Sequence, residues 1–183
     1  AEELAAVAAT KGAEVLWGRC PEERGAPPYW PWAQVIRGYL RGRSPEALRD
    51  EMGAGAADVA QIEPQLRTAL PGLEDPPGAP DPEAARFRLF DSLTSALARA
   101  SAKRPMVLVI EDLHWADGSS LKLLEFMAGE IEQARLLVLG TYRDVDLSRS
   151  HPLFVSLGEL PRHRLFRRVV LKGLDKEAVG AVI

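Results

Sequence analysis

Residues 105–117 read Pro-Met-Val-Leu-Val-Ile-Glu-Asp-Leu-His-Trp-Ala-Asp. Met106–Ile110 is an unbroken apolar run rich in β-branched residues, the pattern of a strand buried on both faces in a parallel sheet covered by helices. It stops at two adjacent carboxylates, Glu111 and Asp112. Acids at the end of a buried strand are costly unless they are solvated, paired or set against a cation. In open α/β sheets, ligands sit at the carboxyl ends of the strands. The pair therefore either faces a magnesium–nucleotide site or opens a solvated loop.

Downstream, Asp117 or Ser119 can cap a helix over about 119–133, with Leu121, Leu124, Ala128 and Ile131 as its apolar face. A second strand follows over 135–142, its buried part being Leu136–Gly140, and it ends in Thr141-Tyr142-Arg143-Asp144. Strand, helix and strand at this spacing make one right-handed βαβ unit. Parallel strands end on the same edge, so Glu111, Asp112 and Arg143 are expected on one rim. Two acids to hold a cation and a guanidinium to read a phosphate is a sensible division of labour. The competing reading is a salt bridge between Arg143 and one acid.

Upstream, residues 1–12 read as helix, with Leu4, Val7 and Ala8 on one face and Gly12 as the stop. The chain opens inside this helix without Met or a capping residue, as expected of a piece of a longer protein. Residues 13–20 read as a short strand. Residues 21–31 hold four prolines, with Tyr29, Trp30 and Trp32 beside them. These aromatics read as a plug seating a long loop on the body rather than as a stacking platform. Helices are expected over 31–41, 45–52, 56–70 in two pieces broken at Pro64, and 83–102 with Phe87, Phe90, Leu93 and Leu97 as its stripe. Residues 21–104 thus form a helical insertion between two strands.

Beyond the second strand, a helix is expected after His151-Pro152, then a last strand over 166–171, then a helix starting at 173–175. Arg162, His163, Arg164, Arg167 and Arg168 make a local basic run that reads as a solvated flank. The 23 basic and 26 acidic residues give a net charge of −3, which argues against a dedicated nucleic-acid surface. Cys20 is the single cysteine, so no intrachain disulfide forms and a reducing, cytoplasmic compartment is expected. No apolar run approaches the length of a membrane span, and no signal peptide is expected from residues 1–12. The three histidines have no metal-ligand spacing, and no nucleophilic triad motif occurs.

Val-Leu-Val-Ile-Glu-Asp-Leu-His-Trp-Ala-Asp resembles the Walker B strand of the signal-transduction ATPases with numerous domains, which are P-loop ATPases of the AAA-like kind. Gly140-Thr141-Tyr142-Arg143-Asp144 resembles their sensor-1 strand end. The Pro-Tyr-Trp-Pro-Trp segment, Arg86–Phe90 and His151-Pro152-Leu153 resemble the branch found in large LuxR-type transcriptional regulators and some adenylate cyclases. The resemblance implies a three-layer α/β/α sandwich with a parallel sheet. It implies Glu111 on the magnesium side, holding the ion through water, Asp112 activating the attacking water, and Arg143 sensing the γ-phosphate. Its cofactors would be Mg²⁺ and ATP in a longer parent, which would exchange ATP for ADP, self-associate, and touch DNA only through a separate domain.

One element of the family pattern has no counterpart. No Gly-x-x-x-x-Gly-Lys-Ser/Thr occurs, so the backbone cradle, the lysine and the magnesium-binding hydroxyl are missing. Residues 1–12 resemble the helix that follows that loop, and the first strand of the family sheet would precede it. The expectation is a partial switch domain that carries the water-activating acid and is inactive by itself. The alternative is a degenerate, non-hydrolysing scaffold for protein partners.

Overall fold

A computed structural model describes residues 1–23, 25–144, 147–171 and 173. Its centre is a parallel sheet of β1 (Glu14–Arg19), β2 (Met106–Glu111) and β3 (Leu136–Gly140), in that order. Glu14 pairs with Met106 and Arg19 with Glu111. On the other side Met106 pairs with Leu136 and Ile110 with Gly140. The middle strand is the apolar run, and all of Met106–Ile110 is buried, as a strand covered on both faces requires.

Helices build the outer layers. α1 (Glu2–Thr10) lies on one face, where Ala8, Val15 and Leu139 pack around Ala13, Val107 and Val109. The other face carries Leu16, Met106, Leu108 and Ile110 into a continuous core with α2 (Trp30–Leu40), α6 (Pro82–Lys103) and α7 (Gly118–Glu130). The short helices α3 (Pro45–Met52), α4 (Ala56–Val59) and α5 (Gln65–Ala69) complete the segment between β1 and β2. α8 (Pro152–Glu159) packs on α7. The fold is a three-layer α/β arrangement with a parallel sheet.

Local chemistry sets the helix boundaries. Ser44 caps α3 and Asp81 caps α6, each accepting the backbone N–H three residues on, which satisfies a donor with no intrahelical partner. Proline in the first turn of α2, α3, α6 and α8 starts each helix where no N–H is needed. Gly12 ends α1 at φ +84°, a left-handed conformation open to glycine at no steric cost.

Three expectations need correction. Residues 166–171 form no strand: they run as irregular chain, and Leu171 is 88% exposed. A β-branched run becomes a strand only when an edge is there to pair with it, and none of the three strands pairs with it here. In α1, Ala5 is the buried residue, whereas Leu4 is 43% and Val7 53% exposed. The apolar stripe is present, but no element of the described chain covers it. In α6, Leu89 takes the buried place expected of Phe87, which stands outward and meets Phe126 edge-on with ring centroids 5.4 Å apart. The helix expected to start at 173–175 falls on residues 174–183, outside the described residues.

Candidate functional site

The three strands all end at one rim. β1 delivers Arg19, β2 delivers Glu111 and Asp112, and β3 leads into Thr141 and Arg143. The rim is knitted by backbone bonds. Thr141 N–H donates to the Ile110 carbonyl at 3.0 Å, and Leu113 N–H to the Thr141 carbonyl at 2.8 Å. The Asp112 N–H donates to the Thr141 hydroxyl at 3.3 Å. These bonds hold Asp112 at φ 59°, ψ 43°. That left-handed conformation is uncommon outside glycine, although Asp and Asn adopt it more readily than other residues.

Gly140 makes this turn fit. A Cβ at that position would lie 2.4 Å from the Leu113 Cδ1. The absent side chain lets the turn after Asp112 fold back across the end of β3. Strained backbone held by its surroundings gathers at functional sites, and here it falls on the acid that ends the central strand.

One acid of the pair is engaged by an arginine, though not by the one in the competing reading. Arg19, not Arg143, meets Asp112: its Nε donates to Oδ2 at 3.0 Å. Arg19 is itself gripped through its backbone by Gln34 of α2, whose Nε2 donates to the Arg19 carbonyl at 2.9 Å while Oε1 accepts its N–H at 3.4 Å. Arg143 is exposed at the same rim and makes no ion pair among the described residues. Sequence reading missed Arg19, Gln34 and Thr141. The first could have been found, because β1 beside β2 in parallel sets its last residue opposite Glu111. Gln34 could not, because its reach depends on how α2 docks.

The aromatic loop after β1 is structural. Trp32 is buried and its indole N–H donates to the Ser120 carbonyl at 3.1 Å. The Tyr29 N–H donates to Asp117 at 3.2 Å. The approach is so close that a Cβ on Gly18 would lie 2.2 Å from the Pro31 carbonyl oxygen. Asp117 also accepts the Ser119 and Ser120 amides, so one carboxylate caps α7 and anchors the loop. Beside it a cleft of about 500 Å³ is lined by Cys20, Trp30, His114, Trp115 and His151. Residues far apart in sequence meet there, yet among the described residues no group of three or more potential ligands could hold a metal. Burial pushes the Cys20 thiol up to about 12, with the nearby carboxylates of Asp117 and Asp112 adding to the shift, so this cysteine is not a nucleophile.

Three arginines of the basic run meet carboxylates. Arg162 pairs with Glu159, Arg164 with Glu132 at 3.6 Å, and Arg168 with Asp144 at 2.8 Å. Arg167 donates to the carbonyls of Arg164 and Phe166.

Glu111 and Asp112 suit a hard cation. Mg²⁺ is held by one or two carboxylates together with water and substrate phosphates, so an adjacent pair of acids suffices where phosphates complete the shell. Glu111 is half-buried at the rim and Asp112 has one oxygen committed to Arg19. Among the described residues nothing at the rim replaces the glycine-rich cradle that a triphosphate needs, so these acids fit the metal side of such a site. No helix among the described residues is long and apolar enough to cross a membrane. A family model described as the AAA ATPase domain matches residues 1–139. No curated protein and no solved structure matches the chain.

Proposed function

The chain belongs to the AAA ATPase domain family, and on that premise we propose that it is part of an ATP-binding and hydrolysing regulatory switch. The parent would be a signalling or transcriptional regulator. In this reading residues 1–183 are a partial P-loop domain, residues 21–104 its helical insertion, and the rim its hydrolytic edge. What supports the reading is the pair Glu111 and Asp112 at the end of a strand whose parallel neighbours finish on the same rim, with Asp112 in a left-handed turn.

Each residue has a separate task. Asp112 takes a proton from the water that attacks the γ-phosphorus, as a positioned general base does. The bond from that phosphorus to the β–γ bridging oxygen breaks, leaving a diphosphate and inorganic phosphate. Glu111 would hold magnesium on its side of the site, through water. Arg143 reads charge on the γ-phosphate, and Arg19 positions the Asp112 carboxylate. Magnesium, when bound, supplies neutralisation of the phosphate charge.

The test separates binding from turnover. The 183-residue chain should show no micromolar heat of Mg-ATP binding in calorimetry. A longer form carrying a phosphate-binding loop should bind, and Asp112→Asn in it should lower kcat by about 10²-fold or more while leaving affinity unchanged. Unchanged kcat in that variant overturns the assignment.

A second reading also has an observation behind it. Arg19 occupies one oxygen of Asp112, which suits a non-hydrolysing scaffold that uses this fold to hold protein partners. A longer form that binds no Mg-ATP would favour it.

A further inference from the structure

The stripe of α6 carries an aromatic residue that the core does not use. Phe87 is 62% exposed, three residues before the buried Phe90. Its ring stands edge-on to Phe126 of α7 with centroids 5.4 Å apart, and Phe126 meets Phe90 at 5.8 Å. Neighbouring turns of α6 and one turn of α7 thus supply a single strip of phenyl rings. The strip floors a groove of about 740 Å³ between α6, α7 and the turn Leu160–Arg162, a size common for ligand sites. The residues that line it lie between 81 and 163, and no strand takes part in it.

A carboxylate is set into the same groove. Glu125 precedes Phe126 on α7, and its side chain is 15% exposed. Its Oε2 accepts the Lys122 ammonium at 2.8 Å. Its Oε1 is buried, and among the described residues nothing donates to it. A buried carboxylate oxygen without a donor is costly, so the site favours a ligand that brings one. The other acids beside the strip are engaged: Glu83 meets Arg86 at 3.5 Å, Glu159 meets Arg162, and Asp81 accepts the Ala84 amide. Lys122 is 57% exposed, and an ion pair so open to water is weak and easily exchanged.

We propose that this groove is a docking site for an arginine side chain of a partner protein. The guanidinium donates to Glu125, whose carboxyl torsion is soft enough to turn Oε1 toward an arriving donor. Its plane lies against Phe87 and Phe126, and its methylene stem covers the rest of the strip. Each feature selects the same group. Aromatic faces attract a delocalised, weakly hydrated cation, and a carboxylate accepts its forked donors. A lysine ammonium holds its water more strongly and presents no plane to stack. A phosphate or carboxylate ligand would set like charge beside Glu125. The proposal is independent of the hydrolytic reading, because Glu111 and Asp112 do not line this groove.

Amide NMR of the 183-residue chain, titrated with N-acetyl-arginine methylamide, tests it. Amides of α6 around Phe87 and of α7 around Glu125 should shift, with a dissociation constant of about 1–10 mM. The citrulline analogue has the same shape without the charge and should leave them in place. The lysine analogue should bind at least about threefold more weakly. Glu125→Gln should weaken arginine binding by about tenfold. Phe87→Ala, which removes a ring already in water, should weaken it by about threefold. Lys122→Ala should tighten it, since it removes a competing cation. The citrulline and lysine arms change only the ligand, so the fold of a variant does not enter them. The proposal is overturned if the arginine probe moves no α6 or α7 amide at about 50 mM, or if either analogue binds as well. Unchanged affinity in Glu125→Gln or Phe87→Ala, or weaker binding in Lys122→Ala, overturns it too.

Discussion

β2 is buried on both sides, yet the two sides protect it differently. Leu16, Leu108 and Ile110 are sealed under α2, α6 and α7, and that layer is locked by partly buried ion pairs. Arg37 meets Glu63 at 2.7 Å, Arg88 meets Asp58 at 3.0 Å, and Arg43 joins Glu14 to Tyr39 and Glu51. Val107 and Val109 are covered by little more than α1, which leaves Leu4, Val7, Trp17 and Leu137 in water. α1 is fastened at its end, where Arg104 donates to the Gly12 carbonyl at 2.9 Å. The lesson is that a fully buried strand says nothing of how evenly its stability is supplied. Most of the apolar area removed from water, and so most of the driving force, lies on the side of the segment between β1 and β2.

Truncation on each side gives the largest contrast. Leu93 of α6 is fully buried, and Leu93→Ala should cost about 2–5 kcal/mol in urea denaturation. Leu4→Ala in α1 should stay within about 0.5 kcal/mol. Equal losses would break the comparison.

A smaller effect is expected at the rim. Gly140→Ala pushes a methyl to within 2.4 Å of Leu113 and should cost about 1–3 kcal/mol. Gly158→Ala in α8, where nothing lies within 4 Å of the new Cβ, should stabilise by about 0.5–1 kcal/mol. The same denaturation series reads both, and a neutral Gly140→Ala would show that the turn after Asp112 has room to spare.

The finest test is a titration. Burial, and then the hydrogen bond to Glu51, push the Tyr39 hydroxyl above its ordinary value of 10.0, with Arg43 opposing. A folded pKa above the unfolded one means that the contribution is complete below pH 10 and is lost as pH rises past it. Absorbance of tyrosinate should therefore coincide for the native protein and Tyr39→Phe through about pH 10.5, and Tyr39→Phe should blunt the alkaline loss of stability. A difference between the two absorbance curves below pH 10 would place Tyr39 in water and loosen the locked side.

Much of this was legible from residue chemistry. The apolar run with its two acids, the βαβ spacing, the proline and Ser or Asp helix starts, and the plug role of Trp32 all rest on periodicity, capping and backbone limits, which act over a few residues. That the strand after the acids would run parallel to theirs and end on the same edge followed from the same spacing.

Other features belonged to the tertiary structure. Arg19 engages Asp112, Gln34 grips Arg19, and Gly140 yields to Leu113 because elements distant in sequence arrive at one place, and no local pattern encodes that arrival. Among the described residues, Leu4 and Val7 carry an apolar stripe that nothing covers, and residues 166–171 carry strand propensity without a strand to pair with. A side chain's preference is written in its own chemistry. Whether it is satisfied depends on a neighbour that only the assembled chain provides.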